Sequence, residues 1–504
     1  MHTPEDLAAA LQALDSAEMI HATALYPAAE YVFKHPLTHE VALASQLRDT
    51  RQRRHGAVAQ ALATRYADKP DEHAALLAYH FEEAGAALEA ARWHRRAAEW
   101  IGFNNVEEAV RHWRRIPVLL DGMFDAEAAD LVRTAVQQIL FVGGQQGIAR
   151  EEADALLATG RRLAENSRDP QALPQMLVAY GTARVLAGDA AAGLSLFHEA
   201  TTLARDLPDQ ALHWNSRYLG AWALLSLGRL RESLAECEAL QSVERQHGSG
   251  RPMFAFDAPV LFHVWVLLER GRVQESARVV ARLQAGERRQ SQEILGLESR
   301  LQAHLGQLDR ALLTVGGAVA FAERSHNANL ISVAMTNLGT IQALRAQWPE
   351  AVGALERGLH VAREAGTMLN LEAGTLAWLA RAYLGQGDMR RALATAREAI
   401  AVARARGARH HEAAAHIVHA DVLLALGGAD RRDEAGDALR QAETLIAETG
   451  AQLIAPDLHV SRAALARQRG DTAAAERELR EAQRLFTESG APLRAAQVAR
   501  ELTS

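Results

Sequence analysis

The chain has 504 residues, of which 49% are hydrophobic, and its formal net charge at pH 7 is −7. This composition supports a large buried core, but the chain is too long for one compact globule. The acidic balance gives no general attraction to nucleic acid or anionic membrane. Lys34 and Lys69 are the only lysines. The chain therefore offers almost no candidate for Schiff-base formation or for phosphate binding by a lysine.

The N-terminal residues 1–68 differ from the rest of the chain. A helix at 4–14, a hairpin of strands at 19–23 and 30–34 with its turn at Tyr26 and Pro27, and helices at 36–48 and 51–66 are predicted. This order indicates a small winged-helix-like module, and residues 68–71 read as a linker.

Residues 69–504 contain a repeat of about 40 residues, marked by glycine turns between helix-length, alanine- and leucine-rich segments. The turn glycines are Gly188, Gly228, Gly271, Gly306, Gly387, Gly427 and Gly470. Ala346 stands at one such position without a glycine. A hairpin of two helices cannot bury its apolar stripe alone, so we predict an all-α solenoid of stacked hairpins.

About ten helix pairs and a C-terminal capping helix at 491–502 are predicted. The pairs are 72–85 with 87–102, 127–142 with 149–166, 171–187 with 189–206, 209–227 with 230–246, 257–270 with 272–286, 290–305 with 308–325, 328–346 with 349–365, 369–385 with 388–406, 411–426 with 431–449, and 454–469 with 472–489.

One repeat, at 376–399, shows the pattern most clearly. Its large and small residues recur at helical spacing, at Leu376, Leu379, Tyr383, Ala392, Ala396 and Ala399. Gly387 is expected to end the first helix and Asp388 to cap the second. This arrangement resembles the tetratricopeptide repeat, although the period here is longer than the usual 34 residues. The resemblance covers about 85% of the chain and implies a helical-hairpin solenoid.

A second resemblance lies in the N-terminal module. Its residues are Phe33, Lys34, His35, His39, Glu40, Arg54 and His55. They are similar to the end of the ATPase module in bacterial multidomain adenylate/guanylate cyclase and AAA/STAND ATPase signalling proteins, in which a tetratricopeptide array follows. The resemblance implies that this motif couples the array to an ATPase region. The alternative is that the histidines only cap and pack the module.

The sequence offers no catalytic centre or cofactor site. A phosphate-binding loop needs a lysine after its glycines, and the glycine-rich stretch 143–147 has none. Paired aspartates on neighbouring strands, as cyclases require, have no place in a helical chain. His411 and His416 are five residues apart and therefore miss the H-E-x-x-H spacing of zinc proteases, which favours ordinary helix histidines.

Two groups of residues on first helices are candidates for partner binding. The aromatic group contains Trp214, Tyr218 and Trp222, followed by Phe254, Phe256, Phe262 and Trp265. It predicts either a peptide groove or packing between repeats. The basic group contains Arg184, Arg217, Arg300 and Arg381, which would hold acidic side chains or a terminal carboxylate, or form a solvated face.

The sequence therefore favours a non-catalytic protein-interaction and regulatory scaffold, the sensor or effector arm of a signalling ATPase or cyclase. Its partner would be a protein or peptide in the concave groove. The alternative is a DNA-binding regulator that uses Arg48, Arg51, Arg53 and Arg54 of the N-terminal module. The start of the sequence lacks signal-peptide features, and no run of about 18 apolar residues occurs, so a cytoplasmic location is expected. The single cysteine, Cys237, excludes an internal disulfide.

Overall fold

The computed structural model describes residues 4–24, 30–123, 125–208, 210–247, 258–285 and 292–503. Within these ranges the chain is almost entirely helical, with one two-stranded antiparallel sheet. The predicted all-α, tetratricopeptide-like class is confirmed. The chain forms two compact units, one reaching to Trp100 and including Val118–Gly122, the other containing Ile101–Pro117 and the residues from Met123 onward.

The first unit begins with the helix, hairpin and two helices predicted for the N-terminal module. Its elements are α1 (Pro4–Ser16), β1 (Ile20–Ala24), β2 (Glu30–Phe33), α2 (Pro36–Ala44), α3 (Arg48–Arg65), α4 (Ala74–Glu83) and α5 (Ala87–Ile101). Ile20 lies opposite Phe33 in the antiparallel pair. The predicted turn at Tyr26 and Pro27 lies outside the described residues. The unit extends past residue 68 because α4 packs on α3.

The second unit is a series of helical hairpins. Its helices are α6 (Val106–Leu119), α7 (Ala126–Gln146), α8 (Arg150–Glu165), α9 (Ala172–Leu186), α10 (Ala190–Ala204), α11 (Ala211–Ser226), α12 (Leu230–His247), α13 (Ala258–Glu269), α14 (Val273–Ala285), α15 (Gln292–His304), α16 (Leu308–Arg324), α17 (Ala328–Leu344), α18 (Trp348–Ala365), α19 (Glu372–Gln386), α20 (Met389–Arg406), α21 (Arg409–Leu426), α22 (Ala429–Thr449), α23 (Ala455–Gln468), α24 (Thr472–Glu488) and α25 (Pro492–Thr503). The hairpins α7–α8 through α23–α24, with α4–α5 of the first unit, correspond to the predicted pairs.

Helix α6 was not predicted. Its apolar residues Val106 and Val110 pack against Val136 and Leu140 of α7. The helical spacing of these valines was the available signal, and Pro117 near the end of the helix obscured it.

The hairpin turns have the predicted local chemistry. Gly387 adopts a left-handed conformation with φ 87°, and the Asp388 carboxylate accepts a hydrogen bond of 3.0 Å from the backbone N–H of Arg391. Ala346, which replaces a turn glycine, adopts the same left-handed conformation with φ 58°. The repeat geometry therefore imposes this turn even on a residue with a Cβ atom.

The hairpin array returns on itself, so that its C-terminal half (α17–α25) packs against its N-terminal half (α7–α16). The guanidinium groups of Arg270 and Arg231 donate hydrogen bonds of 2.8 Å to the carbonyls of Gly450 and Ala447. At the other edge, the Thr367 hydroxyl donates to the carbonyl of Gly144 at 3.0 Å. These contacts join residues 180 to 223 positions apart and enclose a space lined by both halves.

Across the described ranges, none of the helices combines the length and the apolar character needed to span a bilayer.

Candidate functional site

The enclosed space is a cavity of about 390 Å³, which we call the lumen. The first helices of the hairpins supply most of its wall, from α7 to α23 in alternation. Ala318 and Phe321 of α16, Phe486 of α24 and Arg494 of α25 also line it. First helices face inward because the second helix of each hairpin packs on their outer side. The site therefore depends on residues that are far apart in the sequence.

Aromatic side chains form one part of the lumen wall. The rings of Trp222 on α11 and Phe262 on α13 are stacked, with centroids 5.4 Å apart and planes 6° from parallel. Trp265, one turn further along α13, and Trp378 on α19 also line the lumen. This wall offers flat apolar surfaces that would bury an apolar ligand group.

A first ion pair lies beside Trp265. The Arg300 guanidinium on α15 donates to the Glu269 carboxylate at 2.9 Å and lies 5.6 Å from the centre of the Trp265 ring. The Trp265 indole N–H donates to the same Glu269 oxygen at 3.2 Å. Arg300 is thus fixed by one carboxylate and one aromatic face.

A second ion-pair cluster lies at the C-terminal end of the lumen. Arg381 on α19 and Arg494 on α25 both donate to Oδ1 of Asp457 on α23, at 3.2 and 2.8 Å. Burial alone would raise the pKa of Asp457, but Arg494 and Arg381 outweigh it and bring the pKa down to about 2. Asp457 is therefore ionised at neutral pH.

Aromatic rings also support these two arginines. The Arg381 guanidinium lies 5.3 Å from the Trp378 ring centre, and the Arg494 guanidinium lies 4.7 Å from that of Phe486. All three lumen arginines therefore combine an aromatic face with a carboxylate partner.

Asp421 on α21 lies behind this cluster. Its carboxylate accepts a hydrogen bond of 2.5 Å from the Ser461 hydroxyl. Burial raises the pKa of Asp421 to about 6, although Arg381 counteracts part of the shift.

The lumen histidines are electrically neutral at pH 7. Burial lowers the pKa of His410 to about 3, lowers that of the neighbouring His411 well below its usual value, and lowers that of His304. Further along α21, His416 and His419 approach Glu412 and Glu434 separately, at 3.7 and 3.8 Å. In the described part of the chain, no group of three or more His, Cys, Asp or Glu side chains is arranged to hold a metal ion.

The structure brings five of the eleven predicted partner-binding residues to the lumen. These are Trp222, Phe262, Trp265, Arg300 and Arg381. Four others lie elsewhere: Tyr218 is buried, Arg184 pairs with Asp189, and Arg217 contacts Trp214 and donates to Glu236 at 2.6 and 3.1 Å. Phe254 and Phe256 are outside the described residues.

Sequence reasoning missed several lumen residues. The spacing of Trp378 and Arg381 repeats that of Trp214 and Arg217, and this was an available signal. Asp457 and Arg494 gave no such signal, because their roles arise only when the two halves of the array meet. The glycine-rich stretch 143–147 also belongs to this contact, where Gln145 Oε1 accepts from Asn327 at 2.9 Å.

The N-terminal motif residues are spread over α2, α3 and the hairpin. Lys34 Nζ lies 2.6 Å from Glu18 Oε2, and the rings of Phe33 and His39 are 5.0 Å apart. His35 precedes α2 without a side-chain capping hydrogen bond, and the Nδ1 atoms of His55 and His80 are 3.1 Å apart.

Glu40 and Arg54 are exposed. In the neighbouring basic group, Arg51 approaches Glu83 at 3.8 Å and Arg53 donates to the Asp49 carbonyl, while Arg48 is exposed. Acidic groups thus lie close to part of the predicted basic patch.

No protein-family model matches the chain, and no curated protein sequence matches it. Solved structures with a similar arrangement of helices include a Rap protein complexed with competence and sporulation factor, the apo form of RapI, and the APC/C hetero-tetramer Cut9-Hcn1. Their identities are 14%, 12% and 12%, with TM-scores of 0.39, 0.32 and 0.38. The alignments cover 81%, 80% and 93% of this chain, and 99%, 96% and 99% of the respective structures. Because the TM-scores are low, the tetratricopeptide-like assignment rests on the hairpins described above.

Proposed function

We propose that this protein is a non-catalytic binding and regulatory scaffold whose ligand, a short peptide or a protein segment, occupies the lumen. The observation that carries the proposal is the aromatic and arginine-rich wall of a cavity enclosed by the two halves of the array. Stacked-repeat proteins commonly bind ligands on their inner surface. Within the wall, the charged groups Arg300 and Glu269 pair with each other.

The size of the lumen limits what can bind. A volume of about 390 Å³ lies in the lower part of the range that small-ligand pockets occupy, roughly 300–1,000 Å³. It suits a few residues of a peptide and excludes a folded domain. A protein partner would therefore insert a short terminal segment rather than dock as a globular body.

A lumen-blocking substitution tests this function. Ala414 on α21 lines the lumen, and Ala401 on α20 is exposed on the outside. Wild-type protein and Ala401→Trp are expected to select the same members from a library of N-acetylated tripeptides, whereas Ala414→Trp selects none of them. Affinity selection followed by mass spectrometry measures this. Equal selection by both tryptophan variants would place the binding site outside the lumen and reject the proposal.

The regulatory part of the proposal concerns the N-terminal module, for which an ATPase or cyclase domain is the suggested partner. Support comes from the motif between Phe33 and His55 and from apolar side chains that the module leaves exposed. Among these, Leu37 is 68% exposed and Val41 is 59% exposed on α2. Such side chains are suited to contact another domain.

Under this proposal, nucleotide would bind to the partner domain and not to this chain. Calorimetric titration of the chain with Mg²⁺-ATP is therefore expected to give no binding heat at millimolar nucleotide. Micromolar affinity would contradict the assignment, because the sequence contains no lysine-bearing phosphate loop to explain it.

A further inference from the structure

The lumen has the opposite charge balance to the chain as a whole. Its charged lining residues are three arginines, Arg300, Arg381 and Arg494, and two acids, Glu269 and Asp457. The chain carries a net charge of −7. His304, His410 and His411 add no charge at neutral pH. Asp421 is not part of the lining, and its carboxylate, which is ionised above about pH 6, acts on Arg381 only from behind the cluster. One positive charge in the lining is thus without a counterpart there.

The arginines also keep hydrogen-bonding capacity. A guanidinium carries five N–H donors, and within the described ranges each of these three groups donates one hydrogen bond to a carboxylate oxygen. Each guanidinium lies over an aromatic ring, that of Trp265, Trp378 or Phe486. The arginine side chains therefore lose little conformational freedom when an anion binds. Each guanidinium therefore has N–H groups left that can donate to an oxygen atom of a ligand.

A single carboxylate is the anion that this balance favours. Two of the three guanidinium charges already face Glu269 and Asp457. A dianion would add a negative charge that no lining residue balances, and partial burial of such a charge is costly. A neutral polar group would leave the excess positive charge unpaired.

We propose that the lumen ligand carries one carboxylate on an apolar body, with the carboxylate held by the Arg381 and Arg494 guanidinium groups, which share only Asp457, and the apolar body against Trp222, Phe262 and Trp265. This inference rests on the proposed function, because it specifies the chemistry of the same site. Two sources supply this chemistry, namely the C-terminal end of a short peptide with an apolar last residue, and a small organic acid.

The test compares acids with their amides. One arm uses two N-acetylated tripeptide libraries that differ only in a free or an amidated C-terminus. The other arm uses 4-phenylbutyrate and 4-phenylbutyramide, measured by calorimetry. We expect the acid to bind at least about tenfold more tightly than its amide in one arm, as the loss of one charge-assisted hydrogen bond would produce. The arm that responds identifies the source.

Substitution of an arginine provides the matched comparison. Arg494→Gln is expected to weaken binding of the selected acid about tenfold or more while leaving binding of its amide unchanged. Arg484→Gln, on the outer face of α24, is expected to change neither. Arg381→Gln supplies a second measurement if Arg494→Gln lowers the melting temperature below the assay temperature.

The outcomes separate the two proposals. Acid and amide binding with equal affinity, while remaining sensitive to Ala414→Trp, would overturn the carboxylate inference and leave the lumen as the binding site. Failure of both arms to yield any acid ligand at 1 mM would also overturn it. Binding that is insensitive to Ala414→Trp would reject the proposed function itself.

Discussion

Burial shifts the pKa of several ionisable residues in or beside the lumen, and Asp421 shows the consequence most clearly. Its carboxyl group is partly buried and has one described hydrogen-bond donor, Ser461. In the folded protein, burial raises its pKa from the ordinary value of 3.8 to about 6. The folded state therefore binds this proton more tightly than the unfolded state, so the stability contributed by the neutral form is lost as pH rises from about 4 through 6.

The first prediction concerns the substitution of Asp421 by asparagine. Asp421→Asn keeps an oxygen that accepts from Ser461 but removes the buried charge, so we expect it to raise the free energy of unfolding at pH 7 by about 1–3 kcal/mol. The gain should disappear by pH 4, where wild-type Asp421 is already protonated. Urea unfolding at pH 4, 5.5 and 7 checks this. Asp433→Asn, at an exposed position, should show no comparable pH-dependent gain.

Lower stability of Asp421→Asn than wild type at pH 7 would mean that the ionised carboxylate is needed to balance Arg381 and Arg494. The pKa argument for this residue would then be wrong. Either result also bears on the lumen, because it decides how many negative charges the arginine cluster already faces.

At the scale of the secondary-structure elements, the glycines at hairpin turns are needed for two different reasons. Gly228 and Gly470 both end first helices with positive φ, 72° and 77°. A Cβ at Gly470 would meet nothing within 4 Å, whereas one at Gly228 would lie 2.8 Å from the backbone nitrogen of His410 on α21. Gly228 therefore serves the turn and also the contact between the two halves of the array.

The second prediction uses these glycines as a matched pair. Gly470→Ala is expected to cost about 1 kcal/mol, the strain of a left-handed turn alone. Gly228→Ala should cost at least about 1 kcal/mol more, because backbone must move at the inter-half contact. Chemical unfolding gives both values. Hydrogen exchange should accelerate at the start of α21 in Gly228→Ala only, and equal costs for the two variants would contradict the interpretation.

The sequence predicted these elements well because their causes are local. Turn glycines, the Asp388 cap and the alanine-lined helix contacts are read directly from spacing, and Ala346 was placed correctly in phase despite lacking the glycine. Helix α6 was missed because it stands outside the glycine-marked repeat. Local patterns report on helices and turns, and they contain no measure of how many hairpins complete one superhelical turn.

At the scale of the second compact unit, the number of hairpins in one superhelical turn determines which residues line the lumen. Trp222, Trp265, Arg300 and Arg381 were predicted from first-helix positions, and they lie in the lumen. Arg184 and Arg217 occupy comparable positions but are engaged by Asp189 and Glu236. Which arginines line the lumen depends on which hairpins meet across it, and only the return of the chain on itself determines this.

The long sequence separation of those closing contacts has a consequence for biosynthesis. The Arg270 guanidinium and the Gly450 carbonyl to which it donates are 180 residues apart. At a translation rate of about 5–20 residues per second, Arg270 waits roughly 10–40 s on the ribosome for its acceptor to be made. Throughout that interval the early hairpins expose their inner aromatic surfaces to solvent, which makes the nascent chain a natural client for chaperones until its last repeats emerge.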